Sequence, residues 1–292
     1  MLKESRAFKI FNLCNIVFML AIATVTLYPL LYVAFASFSD SHRLMAHEGL
    51  LLKPLGFDVG SYRMVFKNPM ILRGYINTVI IVLLGVTVNI ILSSVGAYFL
   101  SRKNVLWKNA IMIMIVVTMY FNGGLIPFYL TVKALHLDNS YLALIFPVAI
   151  NTFNLIIMRT SFASIPDSLE ESARIDGASH FNILFRIIIP LSKATIAVMI
   201  LYYSVGHWNS WFNAMIFIRK RELFPLQLIL REILIQNDTS NMSIGVDAMD
   251  RESVAESIKY AIIIVATLPI LTIYPFLQKY FVKGVMIGAV KG

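Results

Sequence analysis

Six long apolar stretches, free of charged side chains, constrain this chain of 292 residues more than any other feature. A helix of about 20 residues crosses the roughly 30 Å hydrocarbon layer of a bilayer, so each stretch is long enough to span a membrane. The pattern predicts an all-α integral membrane protein with six transmembrane helices. The six stretches lie at about 12–38, 75–100, 109–132, 141–158, 194–218 and 260–278.

The composition supports this prediction, and the charges in the loops indicate how the chain is oriented in the membrane. The chain is 58% hydrophobic and 14% charged, whereas a soluble domain carries about 25% charged residues. The short loop 101–108 contains three basic residues and loop 133–140 contains only Lys133. Basic residues favour cytoplasmic loops, so both termini are expected in the cytoplasm, with outer loops at about 39–74 and 219–258. We treat residues 1–292 as a single transmembrane domain.

Two other interpretations of the basic, apolar sequence are disfavoured. The first apolar run exceeds the roughly 7–15 residues of a signal-peptide core, so it is expected to remain as the first span. The net charge is +9, and it falls mainly on the predicted cytoplasmic side, where anionic lipid attracts it. No basic cluster with interleaved aromatic residues lies outside the spans, so the lipid membrane is an expected partner and nucleic acid is not.

The spans contain almost no ionisable groups. His207 is the one well inside, while Arg159 and Lys193 lie at span ends. Transporters driven by protons or sodium need carboxylates or histidines at depth, so this mechanism lacks its usual parts. The sequence also has no phosphate-binding loop for ATP, no cluster with metal-ligand spacing and no hydrolytic triad. We expect no enzyme, no catalytic residue, no metal site and no cofactor in this chain.

A polar segment at 160–192 separates the fourth and fifth apolar stretches. Pro166 precedes Asp167 and Ser168, either of which is suited to cap a helix over Leu169–Asp176. Gly177 is suited to end that helix in a sharp turn. A second amphipathic helix at about 178–188 is expected to present one apolar face, formed by Phe181, Leu184, Phe185 and Ile188. Pro190 should end or bend it.

This segment resembles the EAA coupling loop of ABC-importer permeases, whose pattern is Glu-Ala-Ala, three residues, Gly, nine residues, Ile-x-Leu-Pro. The matching positions here are Glu171, Ala173, Gly177, Ile187 and Pro190, with Ser172 in place of the first Ala. Segment 123–141 is also similar to sugar-importer permeases, and segment 282–292 resembles the C-terminus of the maltose-type second permease. The resemblance covers about residues 75–292.

The resemblance implies a type I ABC-importer architecture with a cytoplasmic two-helix coupling loop. Such permeases work in pairs on an ATPase dimer that binds ATP and Mg, and an extracytoplasmic solute-binding protein delivers their substrate. It further implies ATPase coupling through residues 167–190. The residues expected to contribute are Glu171, Ser172, Ala173, Arg174, Asp176, Gly177, Ile187 and Pro190. For Arg174, simple solvation is an equally good explanation.

The fifth stretch contains polar amides among aromatic side chains, a combination that suits sugars. On a continuous helix, Tyr203, His207 and Trp211 would share one side. The alternative is an interfacial aromatic belt whose amides bond to neighbouring helices. The candidate substrate-pathway residues are Tyr203, His207, Trp208, Asn209, Trp211, Asn213 and, in the fourth stretch, Asn154.

The leading hypothesis is therefore the transmembrane subunit of an ATP-driven carbohydrate importer, with an oligosaccharide as substrate. It would pair with a second permease in a prokaryotic plasma (inner) membrane. Two alternatives stay open at this point. One is a self-sufficient secondary transporter, and the other is a membrane scaffold without a transport role.

Overall fold

A computed structural model describes residues 5–236, 255–272 and 275. These residues form helices and contain no strand, only an isolated bridge between Ser39 and Phe57. The all-helical prediction is confirmed for this part of the chain. In chain order, the helices are α1 (Arg6–Ser37), α2 (Ser41–Met45), α3 (Gly60–Lys67), α4 (Pro69–Ser101), α5 (Lys108–Tyr120), α6 (Leu125–Ala134), α7 (Leu142–Ile145), α8 (Thr152–Ala163), α9 (Asp167–Ile175), α10 (His180–Ile183), α11 (Ile189–Leu191), α12 (Lys193–Trp208), α13 (Trp211–Phe217), α14 (Leu226–Gln236) and α15 (Ala255–Thr272).

Three of these helices, α1, α4 and α15, are long and apolar enough to cross a membrane as single helices. Three further candidates are pairs of helices with a bend between them. The bend is 114° between α5 and α6, 53° between Leu142–Val148 and α8, and 89° between His180–Leu191 and α12. The apolar stretches are thus mainly helical in their described parts, but only three of them form single helices.

The third stretch, expected as one span at 109–132, is broken at residues 121–124. Asn122 and Gly124 cause the break. Gly124 has a φ of +87°, a conformation that glycine adopts without strain. Its backbone N–H donates to the Asn122 Oδ1 at 2.9 Å, so the side chain replaces a helical hydrogen bond. The apolar composition did not reveal this turn.

The fifth stretch, expected as one helix at 194–218, ends its first helix at Trp208. Two polar side chains bond back to the end of α12. The Asn209 Nδ2 donates to the Val205 carbonyl at 3.0 Å, and the Ser210 Oγ donates to the His207 carbonyl at 2.7 Å. The Trp211 N–H, which would bond to the His207 carbonyl in a continuing helix, donates to the Asn209 carbonyl at 2.8 Å instead. A separate helix, α13, follows.

The predicted outer loops contain helices of their own. Residues 39–74 include α2, α3 and the first turn of α4, which begins at Pro69 rather than near 75. Residues 219–258 include α14 and the start of α15. Positions 237–254, the end of the sixth stretch and the 282–292 motif lie outside the described residues.

The chain divides into two compact units. The first contains the chain up to Pro69 and Glu232–Leu268, and Ala36, Leu44 and Leu51 form a buried cluster in it. The second contains Met70–Arg231, and side chains of α4, α8, α12 and the segment 183–188 form a buried core cluster in it. All candidate site residues belong to this second unit.

Candidate functional site

The segment predicted to couple to a partner folds as two helices separated by a tight turn. The first helix, α9, begins at Asp167 and ends at Ile175. Gly177 has a φ of +79°, which confirms the left-handed turn expected there. The predicted helix cap is wrong, because Pro166 occupies the capping position and no side chain caps the helix. Asp167 instead forms an ion pair with Lys103 at 2.7 Å.

The second helix of this segment is longer and less regular than predicted. It begins at His180, where Ser179 caps it, and continues through a π-helical turn at Leu184–Ile188 to Leu191. The sharp bend follows at Ser192, two residues after Pro190. A π-turn adds a residue to the helix and shifts the buried face.

The apolar face predicted for this second helix is therefore wrong in part. Leu184 and Ile188 are buried as expected, together with Ile183. Phe181 and Phe185 remain exposed. Across the π-turn, Ile183 and Ile188, five positions apart, are both buried, and Phe185 lies outside this stripe.

Glu170 is the residue that ties this segment to the end of α4. Its carboxylate is almost fully buried and forms an ion pair with Arg102. It also accepts a hydrogen bond from the Arg174 guanidinium at 2.7 Å and one from the Tyr98 hydroxyl at 3.2 Å. Arg102 in turn donates to the Phe162 carbonyl at 2.9 Å. One carboxylate thereby joins α4, the end of α8 and α9.

Sequence reasoning missed Glu170 and selected its neighbour Glu171. The available signal was the spacing of Glu170 and Arg174, because residues four apart on a helix can form an ion pair. Arg174 is half-exposed but bonded to Glu170, so it is not the freely solvated group that the sequence allowed. The other predicted coupling residues are not buried. Glu171, Ser172, Asp176, Gly177 and Pro190 are exposed, and Ala173 and Ile187 are half-buried.

The charges around Glu170 favour its ionised form. Burial alone raises the pKa of its carboxyl group, but hydrogen bonds from Arg102 and Arg174 outweigh this effect and leave the pKa below its usual value of 4.5. A carboxyl group with a lowered pKa in the folded state stabilises the fold at pH values above its unfolded pKa. That contribution is lost as the pH falls through the folded-state pKa.

We expect the melting temperature of the purified wild type to exceed that of Glu170→Gln at neutral pH, and the difference to shrink below about pH 4.5. Glutamine does not titrate, so the comparison isolates this carboxylate from other acidic groups. Thermal unfolding in detergent at pH 7 and near pH 3.5 measures it. A difference that stays constant across this range would contradict the role assigned to the ionised Glu170.

A polar cavity of about 410 Å³ lies between the 144–154 region and the 202–213 region. Five of the seven predicted pathway residues line it: Asn154, Tyr203, His207, Asn209 and Asn213. Trp208 and Trp211 do not. Trp208 is buried with its ring edge-on to Tyr75, and the Arg231 guanidinium lies 4.8 Å from the centre of the Trp211 ring.

The cavity residues do not share one helical side, as the sequence had suggested. The break after Trp208 places Tyr203 and His207 on α12 and places Trp211 and Asn213 on α13. The prediction that Tyr203, His207 and Trp211 align along one helix is therefore wrong. Asn209, at the break itself, lines the cavity instead.

Helix α4 supports the cavity through two buried polar residues. The Ser93 Oγ and the Tyr203 hydroxyl are 2.7 Å apart, and the same hydroxyl accepts the Asn151 backbone N–H at 3.3 Å. The Asn89 Oδ1 lies 2.6 Å from the His207 Nε2. Because these bonds are buried, they fix the side chains of α12 against α4.

The polar groups of the cavity fall into two classes. The Tyr203 hydroxyl, the His207 Nε2 and the Asn151 Oδ1 bond to the protein itself. Among the described residues, no hydrogen bond uses the side-chain amides of Asn154 or Asn213. These two amides are available to a ligand in the cavity.

Comparison with known proteins gives consistent matches along the chain. Residues 2–287 match the family described as "Binding-protein-dependent transport system inner membrane component". Protein LplC of Bacillus subtilis (strain 168) is 40% identical over 289 residues, which cover 99% of this chain and 97% of that protein. The polygalacturonan/rhamnogalacturonan transport system permease protein YtcP of the same organism is 39% identical over 289 residues, which cover 97% of this chain and 99% of that protein.

A solved structure is similar as well. It is the crystal structure of a bacterial ABC transporter involved in the import of the acidic polysaccharide alginate. One of its chains matches with a TM-score of 0.87 and 31% identity, covering 96% of this chain and 100% of that one.

Proposed function

This chain belongs to the family of binding-protein-dependent transport system inner membrane components, and we propose that it is the transmembrane subunit of an ATP-driven oligosaccharide importer. It is a permease component, and the match along residues 2–287 is the observation that carries the proposal. The oligosaccharide substrate is supported by the names of three similar proteins. They refer to polygalacturonan or rhamnogalacturonan, to alginate and, for a Bacillus subtilis (strain 168) permease 27% identical over 299 residues, to arabinooligosaccharides.

In this proposal, the protein passes through the prokaryotic plasma (inner) membrane six times. The three long helices and the three bent pairs supply the passages. Both termini lie in the cytoplasm, together with the loop after α4 and the segment containing α9. The basic residues Arg102, Lys103 and Lys108 in that loop support the orientation, because cytoplasmic loops are enriched in lysine and arginine.

The segment containing α9–α11 serves as the coupling loop for a separate ATPase, which binds ATP and Mg. Two observations support this role. Glu170 fixes the segment rigidly to α4, so a force on it is transmitted to the membrane helices. Ile175 is 87% exposed and Phe181 is 66% exposed, and a partner surface over them would remove these apolar side chains from water.

The cavity forms this chain's half of the translocation pathway, and a second permease supplies the other half. An extracytoplasmic solute-binding protein delivers the sugar. Amide and hydroxyl groups next to aromatic rings suit sugar hydroxyls and ring faces. The alternative of a self-sufficient secondary transporter is disfavoured by the absence of a carboxylate from the described residues that line the cavity.

The test of this function is purification of the tagged chain from native membranes, with its partners identified by mass. Recovery of a phosphate-loop ATPase and a second membrane subunit is expected. The purified complex in proteoliposomes should import trigalacturonate, an alginate trisaccharide or arabinotriose when ATP and the solute-binding protein are present. If the chain is recovered alone from membranes whose complexes survive extraction, the secondary transporter becomes the better hypothesis.

Gly177→Pro is expected to abolish ATPase recovery and sugar import while the protein still reaches the membrane. Proline fixes φ near −65°, whereas Gly177 has a φ of +79° and donates its N–H to the Arg174 carbonyl at 3.0 Å. Co-purification and uptake assays measure the effect.

Gly177→Asn is the matched control for this variant. Asparagine tolerates the left-handed conformation and keeps the backbone N–H. It should therefore retain most ATPase binding. Normal sugar import by Gly177→Pro would show that this turn has no role in coupling to the ATPase.

A further inference from the structure

We infer that His207 accepts a hydrogen bond from a sugar hydroxyl through its Nδ1, and that Asn89 is the positioning residue that makes this nitrogen an acceptor. The inference rests on the proposed function and assigns a specific role within it. It follows from the hydrogen bonds that surround the two side chains and from the composition of the cavity.

The orientation of the Asn89 amide is determined by its neighbours. Its Nδ2 donates to the Val148 carbonyl at 2.8 Å and to the Ala149 carbonyl at 2.9 Å. A carbonyl oxygen only accepts, so the NH2 group must face these two atoms. The Asn89 Oδ1 therefore faces His207, and this oxygen also only accepts.

The protonation of His207 follows from this arrangement. A hydrogen bond between the His207 Nε2 and the Asn89 Oδ1, 2.6 Å apart, requires the proton to be on Nε2. In a neutral imidazole with the proton on Nε2, Nδ1 carries a lone pair and accepts hydrogen bonds. Asn89 thus selects one tautomer of His207 through a bond to the opposite ring nitrogen.

The ring position directs Nδ1 away from α4. A Cβ added at Gly85 would lie 2.4 Å from the His207 Nε2, 2.6 Å from its Cε1 and 2.8 Å from its Cδ2. The edge with these three atoms therefore faces α4. Nδ1 is on the other side of the ring, and His207 lines the cavity. No hydrogen bond among the described residues uses Nδ1, and it is not among the fully enclosed polar atoms without a partner.

The rest of the lining points to hydroxyl groups rather than carboxylates as the ligand chemistry on this side. None of the described residues that line the cavity is Lys, Arg, Asp or Glu. Asn154 and Asn213 offer amides that both donate and accept. A sugar hydroxyl can donate to Nδ1 and accept from an amide at the same time. Any uronate carboxylate on the substrate would find no cationic partner among these lining residues.

Two substitutions at His207 distinguish the role of Nε2 from the role of Nδ1. His207→Gln places an amide where Nε2 lies and keeps the bond to Asn89, but it removes the acceptor at Nδ1. His207→Asn places an amide near Nδ1 and removes the bond to Asn89. The reconstituted complex with each variant is supplied with trigalacturonate, an alginate trisaccharide or arabinotriose, whichever the wild type imports. The measured quantity is the amount of sugar imported per ATP hydrolysed.

We expect His207→Gln to keep the wild-type melting temperature and the ATPase stimulation by the binding protein. Its sugar import per ATP should fall roughly 3- to 10-fold, the effect of one lost hydrogen bond to the substrate. His207→Asn should unfold at a lower temperature and lose less of this ratio than His207→Gln does. A purely structural histidine would instead leave the sugar imported per ATP by His207→Gln at the wild-type value.

A wild-type ratio in His207→Gln, or an equal loss in both variants, would overturn the inference. The Gln variant could fail to assemble. In that case, the inference would be overturned if His207→Asn imported as little sugar per ATP hydrolysed as a transport-deficient complex does. Failure of the wild type to import any of the three sugars would count against the proposed function instead.

Discussion

Replacing Gly85 with alanine is expected to abolish most transport and to lower the stability of the permease. The added Cβ would lie 2.4 Å from the His207 Nε2, and both residues belong to packed helices, so the ring has to leave its position. We expect a cost of about 2–4 kcal/mol in the free energy of unfolding, from overpacking and from the lost bond to Asn89. Thermal unfolding and sugar uptake in proteoliposomes measure the two effects.

Gly96→Ala is the matched control, because Gly96 belongs to the same helix. The nearest atom to its added Cβ is the Cδ1 of Leu155 at 3.2 Å, the end of a flexible side chain that can move by a few tenths of an ångström. This variant should keep near-normal stability and uptake. If Gly85→Ala behaved like Gly96→Ala, His207 would not pack against α4 as described.

Replacing Glu170 with glutamine should strongly destabilise the protein. The Arg102 side chain is 11% exposed and would keep its buried charge without this carboxylate. Removing one partner of a buried ion pair costs about 3–5 kcal/mol. We expect a clear fall in the melting temperature of the purified protein and, with it, weaker ATPase stimulation.

Glu171→Gln separates this effect from partner binding. Glu171 is exposed and adjacent in sequence, so its substitution should leave the melting temperature of the isolated chain unchanged. Under the proposed function, it should instead reduce recovery of the ATPase. Equal melting temperatures for Glu170→Gln and the wild type would show that the carboxylate does not hold α9 against α4.

The sequence predicted which parts of this chain are helical and apolar, but not where the helices break. Hydrophobicity measures the cost of leaving a residue in water, and it is equally high on both sides of Asn122 and of Asn209. Whether an asparagine ends a helix depends on which backbone groups its side chain can reach. The third and fifth stretches therefore look continuous in the sequence and are divided in the structure.

The sequence indicated most of the residues that line the candidate site, but not how they are arranged. Five of the seven residues proposed for the pathway line one cavity, although the helical alignment that suggested them is wrong. Asn89 and Gly85 were not identified as partners of His207, because they lie 118 and 122 positions away along the chain. Contacts between helices so distant in sequence leave no periodic pattern.

The sequence by itself determined the helical membrane character of the chain and the turn at Gly177, because transfer from water and glycine's backbone freedom are local properties. Its motif pattern also agreed with the family that comparison then established. Only the tertiary structure decided that Glu170, rather than Glu171, is buried, and which nitrogen of His207 carries the proton. Each of these depends on the groups that packing brings within hydrogen-bond distance, and one-dimensional spacing does not specify those groups.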